Sequence, residues 1–190
     1  MRTAWLLFLM AFIGSCHPPN KEETDRRTKQ MLATQVRDQT IAQLRKEKGL
    51  YVCGIGSSML YQIKKLSIYF HYYNEIDIEQ ARELLMAAGT LFLNTINANE
   101  QIRPFLQNYP FKPENVEIRI YIQKPNGREP DLGKLTIASM IKGILRYKTD
   151  TPEPYGLETI YEETFEEARL KVGSVQTSSA TATEAVLSDL

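Results

Sequence analysis

Histidine is nearly missing from this chain of 190 residues, which has only His17 and His71. A metal centre built on imidazole therefore lacks its donors, and no Cys or His stands at ligand spacing from Cys53. A carboxylate-only site would need an acidic cluster that the order of residues does not show. No metal and no cofactor are expected. There is no Gly-x-Ser-x-Gly elbow to hold a serine nucleophile. Gly54-Ile55-Gly56-Ser57-Ser58 lacks both the Gly-Lys-Ser/Thr ending of a phosphate loop and the third glycine of a dinucleotide fingerprint. Basic surplus is absent too: 23 Lys and Arg balance 23 Asp and Glu, which argues against a nucleic-acid partner. Internal repeats are also lacking.

The chain does carry a distinctive beginning. Arg2 precedes an apolar run from Ala4 to Ile13, which ends in Ile13-Gly14-Ser15-Cys16. A basic end, an apolar core and small residues before a cut site form a secretory signal peptide. The run is too short to span a bilayer, which takes about twenty apolar residues. It is followed by Gly, Ser, Cys, His and two prolines. Of the competing readings, a plain signal cut elsewhere leaves Gly14-Ser15-Cys16 to coincidence, and a buried helix fits a fully apolar run at the extreme N-terminus poorly.

With its cysteine directly after those small residues, the segment resembles the signal of bacterial lipoproteins and its lipobox. The resemblance covers residues 1–16 alone, and Ile13 and Gly14 are permitted but less typical there than Leu and Ala. It implies that Cys16 is acylated and becomes the first residue of the mature chain. The protein would then be held in the cell envelope by its N-terminal lipid, with the membrane as a partner. His17, standing where Asp would signal inner-membrane retention, points to the outer membrane, and a periplasmic rather than a surface-exposed placement is expected. Two or three acyl chains would make the anchor firm, since one chain holds only marginally.

Removing residues 1–15 leaves about 175, the span of one domain with tails. Such a domain buries roughly two-thirds of its extended-chain surface and needs neither metal nor disulfide for stability. With Cys16 acylated, Cys53 has no partner, and its place in Leu50-Tyr51-Val52-Cys53 reads as a small buried hydrophobe. Residues 16–29 read as a tether, 30–172 as a single domain and 173–190 as a disordered Ser/Thr/Ala-rich tail.

Periodicity supplies the elements. Lys21 to Lys48 lacks Pro and Gly and carries a thin apolar stripe, so a helix with a narrow docking face is expected, ended by Gly49. Lys64 to Tyr73 alternates strictly, with Leu66, Ile68, Phe70 and Tyr72 on one side. Ile78 to Ile96 is apolar around most of a helix, with Asp77 and Gln80 spaced as a capping box. Residues 100–108 read as a short helix. Val116 to Gln123 alternates as a second clean strand, and 134–141 and 144–148 read as two more. Lys142-Gly143 between them reads as a tight turn or a bulge. Leu157 to Val172 reads as a closing helix, which makes Glu162-Glu163 and Glu166-Glu167 a solvated acidic face. The basic excess of residues 21–48 reads as a solvated face as well. The expected fold is α+β: an antiparallel sheet of three to five strands with a long buried helix on one face and flanking helices.

Functional candidates come from the outward rows of the strands. Tyr69, His71 and Tyr73 lie on one strand and Arg119 and Tyr121 on another, with Arg146 or Tyr147 on a third. Tyr and Arg concentrate at interfaces because they carry large contact energy at low entropic cost. The same row would also suit a face covered by the first helix. The sequence therefore favours a non-catalytic binding or assembly module, with a possible protein partner and an open oligomeric state. The alternatives are a periplasmic hydrolase that uses Ser57 or Ser58 with His71, and a host-facing surface protein.

Overall fold

The computed structural model describes residues 20–154 and 156–174. The leader with Cys16 and most of the expected tail lie outside them. Among the described residues, three helices and six strands follow the order α1, β1, β2, α2, β3, β4, β5, β6, α3. Helix α1 spans Lys21–Lys48. Asn20 caps it by accepting from the Glu23 amide at 3.0 Å, and Gly49 ends it at φ 66°. Helix α2 spans Ile78–Ala98, and the Asp77/Gln80 capping box is formed as its spacing predicts. The expected domain boundary at residue 30 falls inside α1, where Lys29 already packs against the body.

Strands β1 (Tyr51–Ser58), β2 (Lys65–Tyr72), β3 (Val116–Ile122), β4 (Leu135–Ile141), β5 (Ile144–Asp150) and β6 (Leu157–Thr164) form one sheet in sequential order. Chain connections set the directions. Short links make β1–β2 and the β3–β6 meander antiparallel, while the crossover through α2 makes β2 and β3 parallel. The sheet is therefore mixed and six-stranded, not antiparallel with three to five strands.

Alternation gives the sheet two unlike faces. Leu66, Ile68 and Phe70 of β2, Val116, Ile118 and Ile120 of β3, Ala138 and Met140 of β4 and Leu145 of β5 point to one side. With Leu85, Phe92 and Ile96 of α2 and Leu32, Val36 and Leu44 of α1, they build the core. α2 packs over β3 and β4, and α1 packs on α2 and touches β1. Gly89 lets α2 come close to β4: a Cβ there would stand 2.8 Å from Met140 Cε. The first helix thus does not cover the outward row of β2 and β3. It lies on the opposite side of the sheet.

Several local expectations give way to tertiary context. Residues 157–164 form a strand, and α3 begins only at 165, running through 174 within the described residues. Glu163 is no part of a solvated face: its side chain is 1% exposed. Its Oε1 accepts from Arg82 Nε at 2.6 Å and the Tyr147 hydroxyl at 2.7 Å, while Oε2 accepts from Lys171 Nζ at 2.7 Å. These bonds tie β6 to α2, β5 and α3. Residues 100–108 supply only a single turn at Arg103–Phe105.

The basic side of α1 is likewise not wholly solvated. Lys29 donates to the Tyr61 carbonyl at 2.7 Å and Arg37 to the Gly56 carbonyl at 2.9 Å, both residues being buried. Cys53 is exposed rather than buried, because it sits in the irregular pairing between Val52 and Gly54 on an edge strand. Desolvation still pushes its thiol up from the ordinary range.

Candidate functional site: the open face of the sheet

The face turned away from α1 and α2 is built of rows that cross the strands. One runs Gly54, Tyr69, Arg119, Ser139, Arg146, Glu162. The next runs Tyr51, His71, Tyr121, Ile137, Lys148, Thr159. Tyr69, His71, Arg119 and Tyr121 are thus direct neighbours on one surface. Tyr73 continues β2 past His71, with ring centroids 6.0 Å apart, and meets Tyr51 edge-on at 5.4 Å. His71 also lies 5.7 Å from the Tyr121 ring, and its Nδ1 is buried without a hydrogen-bond partner. Of the two third-strand candidates, Arg146 joins the row. Tyr147 turns to the core and donates to Glu163.

The glycines of β1 belong to this surface. A Cβ on Gly54 would stand 2.9 Å from Tyr69 Cδ2, and one on Gly56 would stand 3.3 Å from the Tyr69 hydroxyl. The glycine-rich stretch is therefore a strand whose missing side chains seat the Tyr69 ring. It is neither a phosphate cradle nor a flexible connection. Beneath the ring lies buried Glu117, which accepts from Lys65 at 2.7 Å, the Tyr69 hydroxyl at 3.3 Å and Arg119 at 3.5 Å. The Tyr121 hydroxyl, 3.4 Å from Arg119 Nη1, leads the contacts that raise the Arg119 guanidinium further, with Glu117 and Tyr69 adding to it against burial. Arg119 is a fixed cation, held 5.4 Å over the Tyr69 ring.

Two hollows open along this face. A trough of about 600 Å³ is lined by His71, Tyr121, Leu132, Ile137, Asp150 and Leu157, among others. A smaller pocket of about 280 Å³ is lined by Arg119, Ile137, Ser139, Ile141, Arg146, Lys148 and Leu157. They share Ile137 and Leu157, and no residue of α1, α2 or α3 lines either. Ser139, Lys148 and Leu157 escaped sequence reasoning because β4 reads as an apolar run and 157–164 as a helix. The outward alternation of β5, Arg146 then Lys148, was the available signal.

Ser57 and Ser58 face Leu66 and Lys65 at one end of β1, while His71 faces Tyr51 at the other. At about 3.3 Å per residue the separation is roughly 20 Å, too far for a nucleophile and its base. The Arg82–Glu163–Tyr147–Lys171 cluster is closed on itself. Burial, with Glu163 as acceptor, pushes the Tyr147 hydroxyl far up and keeps it protonated. Among the described residues there is no group of three or more His, Cys, Asp or Glu arranged to hold a metal ion, and no helix long and apolar enough to cross a membrane. The chain matches no protein-family model, no curated protein and no solved structure.

Proposed function

We propose that this protein is a lipid-anchored envelope protein that binds a ligand on the open face of its sheet. The observation that carries the binding role is the pair of adjoining hollows on a face that no helix covers. Both have aliphatic walls; the trough adds the His71 and Tyr121 rings and the carboxylates Glu129, Asp150 and Glu153, and the smaller pocket adds Arg119, Arg146 and Lys148. Concave, mixed surfaces of this kind bind small molecules, with apolar area supplying affinity and a few polar groups fixing orientation. The anchor rests on Ile13-Gly14-Ser15-Cys16 and its resemblance to a lipobox. A scaffold of α1 and α2 behind the sheet would hold the face rigid while the lipid holds the domain at the membrane.

Both halves of the proposal can be tested on the full chain in bacterial cells. Wild-type protein is expected in the membrane fraction and Cys16→Ala in the soluble periplasmic fraction. Cys16→Ala that fractionates with membranes as wild type does would contradict the anchor. Native mass spectrometry of the detergent-released protein should show a co-purifying small molecule that is lost in Tyr121→Ala. An adduct unchanged in that variant would contradict the open face.

A further inference from the structure

The geometry points to an anion subsite at Arg119, Arg146 and Lys148, and to an amphipathic monocarboxylate as the class of ligand the face takes. This inference rests on the open-face reading and gives it chemistry. Arg119, Ser139 and Arg146 occupy successive strands in one row, and Lys148 stands beside Ile137 in the next. Adjacent strands lie about 4.8 Å apart, so the two arginines flank a gap of roughly 10 Å whose floor is a serine. Ser139 is small and its hydroxyl makes no hydrogen bond among the described residues, which keeps that floor low and polar.

Their charges are not used up by the fold. Arg146 spends its Nε on Glu162 at 2.6 Å and has its terminal nitrogens left. Arg119 reaches Glu117 only at 3.5 Å, and that carboxylate is already held by Lys65 at 2.7 Å. Lys148 has no ion-pair partner among the described residues. Three cations therefore share one pocket with no acid in its lining. Guanidinium forks match the planar, two-oxygen geometry of a carboxylate, and the compact ammonium adds a point charge.

The rest of the lining argues against a bare anion. Ile137, Ile141 and Leu157 wall the pocket, and the shared Ile137 and Leu157 lead into the trough beside Tyr121 and Leu132. A head seated between the arginines can thus run its apolar body across Ile137 into the trough. A ligand with no apolar body would leave that surface wet, and an uncharged one would leave the cations unmatched.

Titration calorimetry of the full-chain protein released from membranes tests this with three probes: decanoate, decanol and inorganic phosphate. Decanoate is expected to bind about tenfold or more tightly than either of the others, the difference a charge-assisted pair makes. Arg119→Gln and Lys148→Gln should each weaken decanoate about tenfold while leaving decanol unchanged. Lys112→Gln, away from the face, should change nothing. If a variant fails to fold, the salt dependence of the wild type decides, since decanoate should weaken as salt rises while decanol should not.

Equal affinity for decanoate and decanol would overturn the anion subsite and leave the open face standing. Phosphate binding as tightly as decanoate would overturn the amphipathic class. Binding of decanoate and decanol that Tyr121→Ala leaves unchanged would overturn the open-face reading itself. No binding of any probe would overturn the monocarboxylate.

Discussion

Glu163 shows how one side chain can bind several elements together. Burial alone would push its carboxyl up, but hydrogen bonds from Lys171, Tyr147 and Arg82 outweigh burial and hold it below the ordinary carboxylate range. A carboxyl lowered in the folded state stabilises the fold above its unfolded-state value, and that stability is lost as pH falls through the folded value. Stability should thus decline in the acid range, and Glu163→Gln should flatten the decline, as urea unfolding at a series of pH values would show. Glu163→Ala strands the buried Arg82 and should cost about 3 kcal/mol at neutral pH, since removing one partner of a buried pair leaves an uncompensated charge. Gly54 makes a second single-residue test. Gly54→Ala drives a methyl against the Tyr69 ring and should cost about 1–3 kcal/mol by overpacking. Neither role could be read from the residue alone, because Glu163 sits among helix formers and Gly54 in a glycine-rich stretch that suggests a loop.

Elements were legible where pattern and tertiary demand agree. In β2 and β3 the alternation of apolar and polar residues matches a sheet with one packed and one open face, and the outward residues are where that alternation puts them. In α2, cap, apolar girth and glycine contact all follow from spacing. β6 was not legible. Leu157, Ile160, Tyr161 and Phe165 recur at three- and four-residue intervals and the segment is rich in Glu, so local propensity favours helix. Pairing with the whole of β5 outweighs it. The turn Lys142-Gly143 is resolved as a hairpin, with φ 54° and 75° at its two residues. A left-handed lysine is strained where Asn is tolerated, so Lys142→Asn should raise stability by about 0.5–1 kcal/mol. Thermal unfolding of the two proteins checks it, and a lower midpoint for Lys142→Asn would contradict the turn geometry.

On the scale of the whole molecule, helices on one side and hollows on the other divide the labour of the sheet. The core face has its apolar residues under α1 and α2, while the open face keeps aromatic and cationic side chains around two hollows that no residue of these helices lines. The sequence could name the outward rows of β2 and β3 but not their common exposure, because a row of Tyr, His and Arg suits either an open face or one partly covered by a helix, and strand order is not written in a single strand. The most direct test is a methyl NMR titration of isotope-labelled protein with decanoate. The Ile137, Ile141 and Leu157 methyls on the open face should shift with saturation, while those of Ile118 and Leu85 in the core stay in place. Shifts centred on the core methyls, or none on Ile137 and Leu157 while decanoate binds, would contradict a ligand-binding open face.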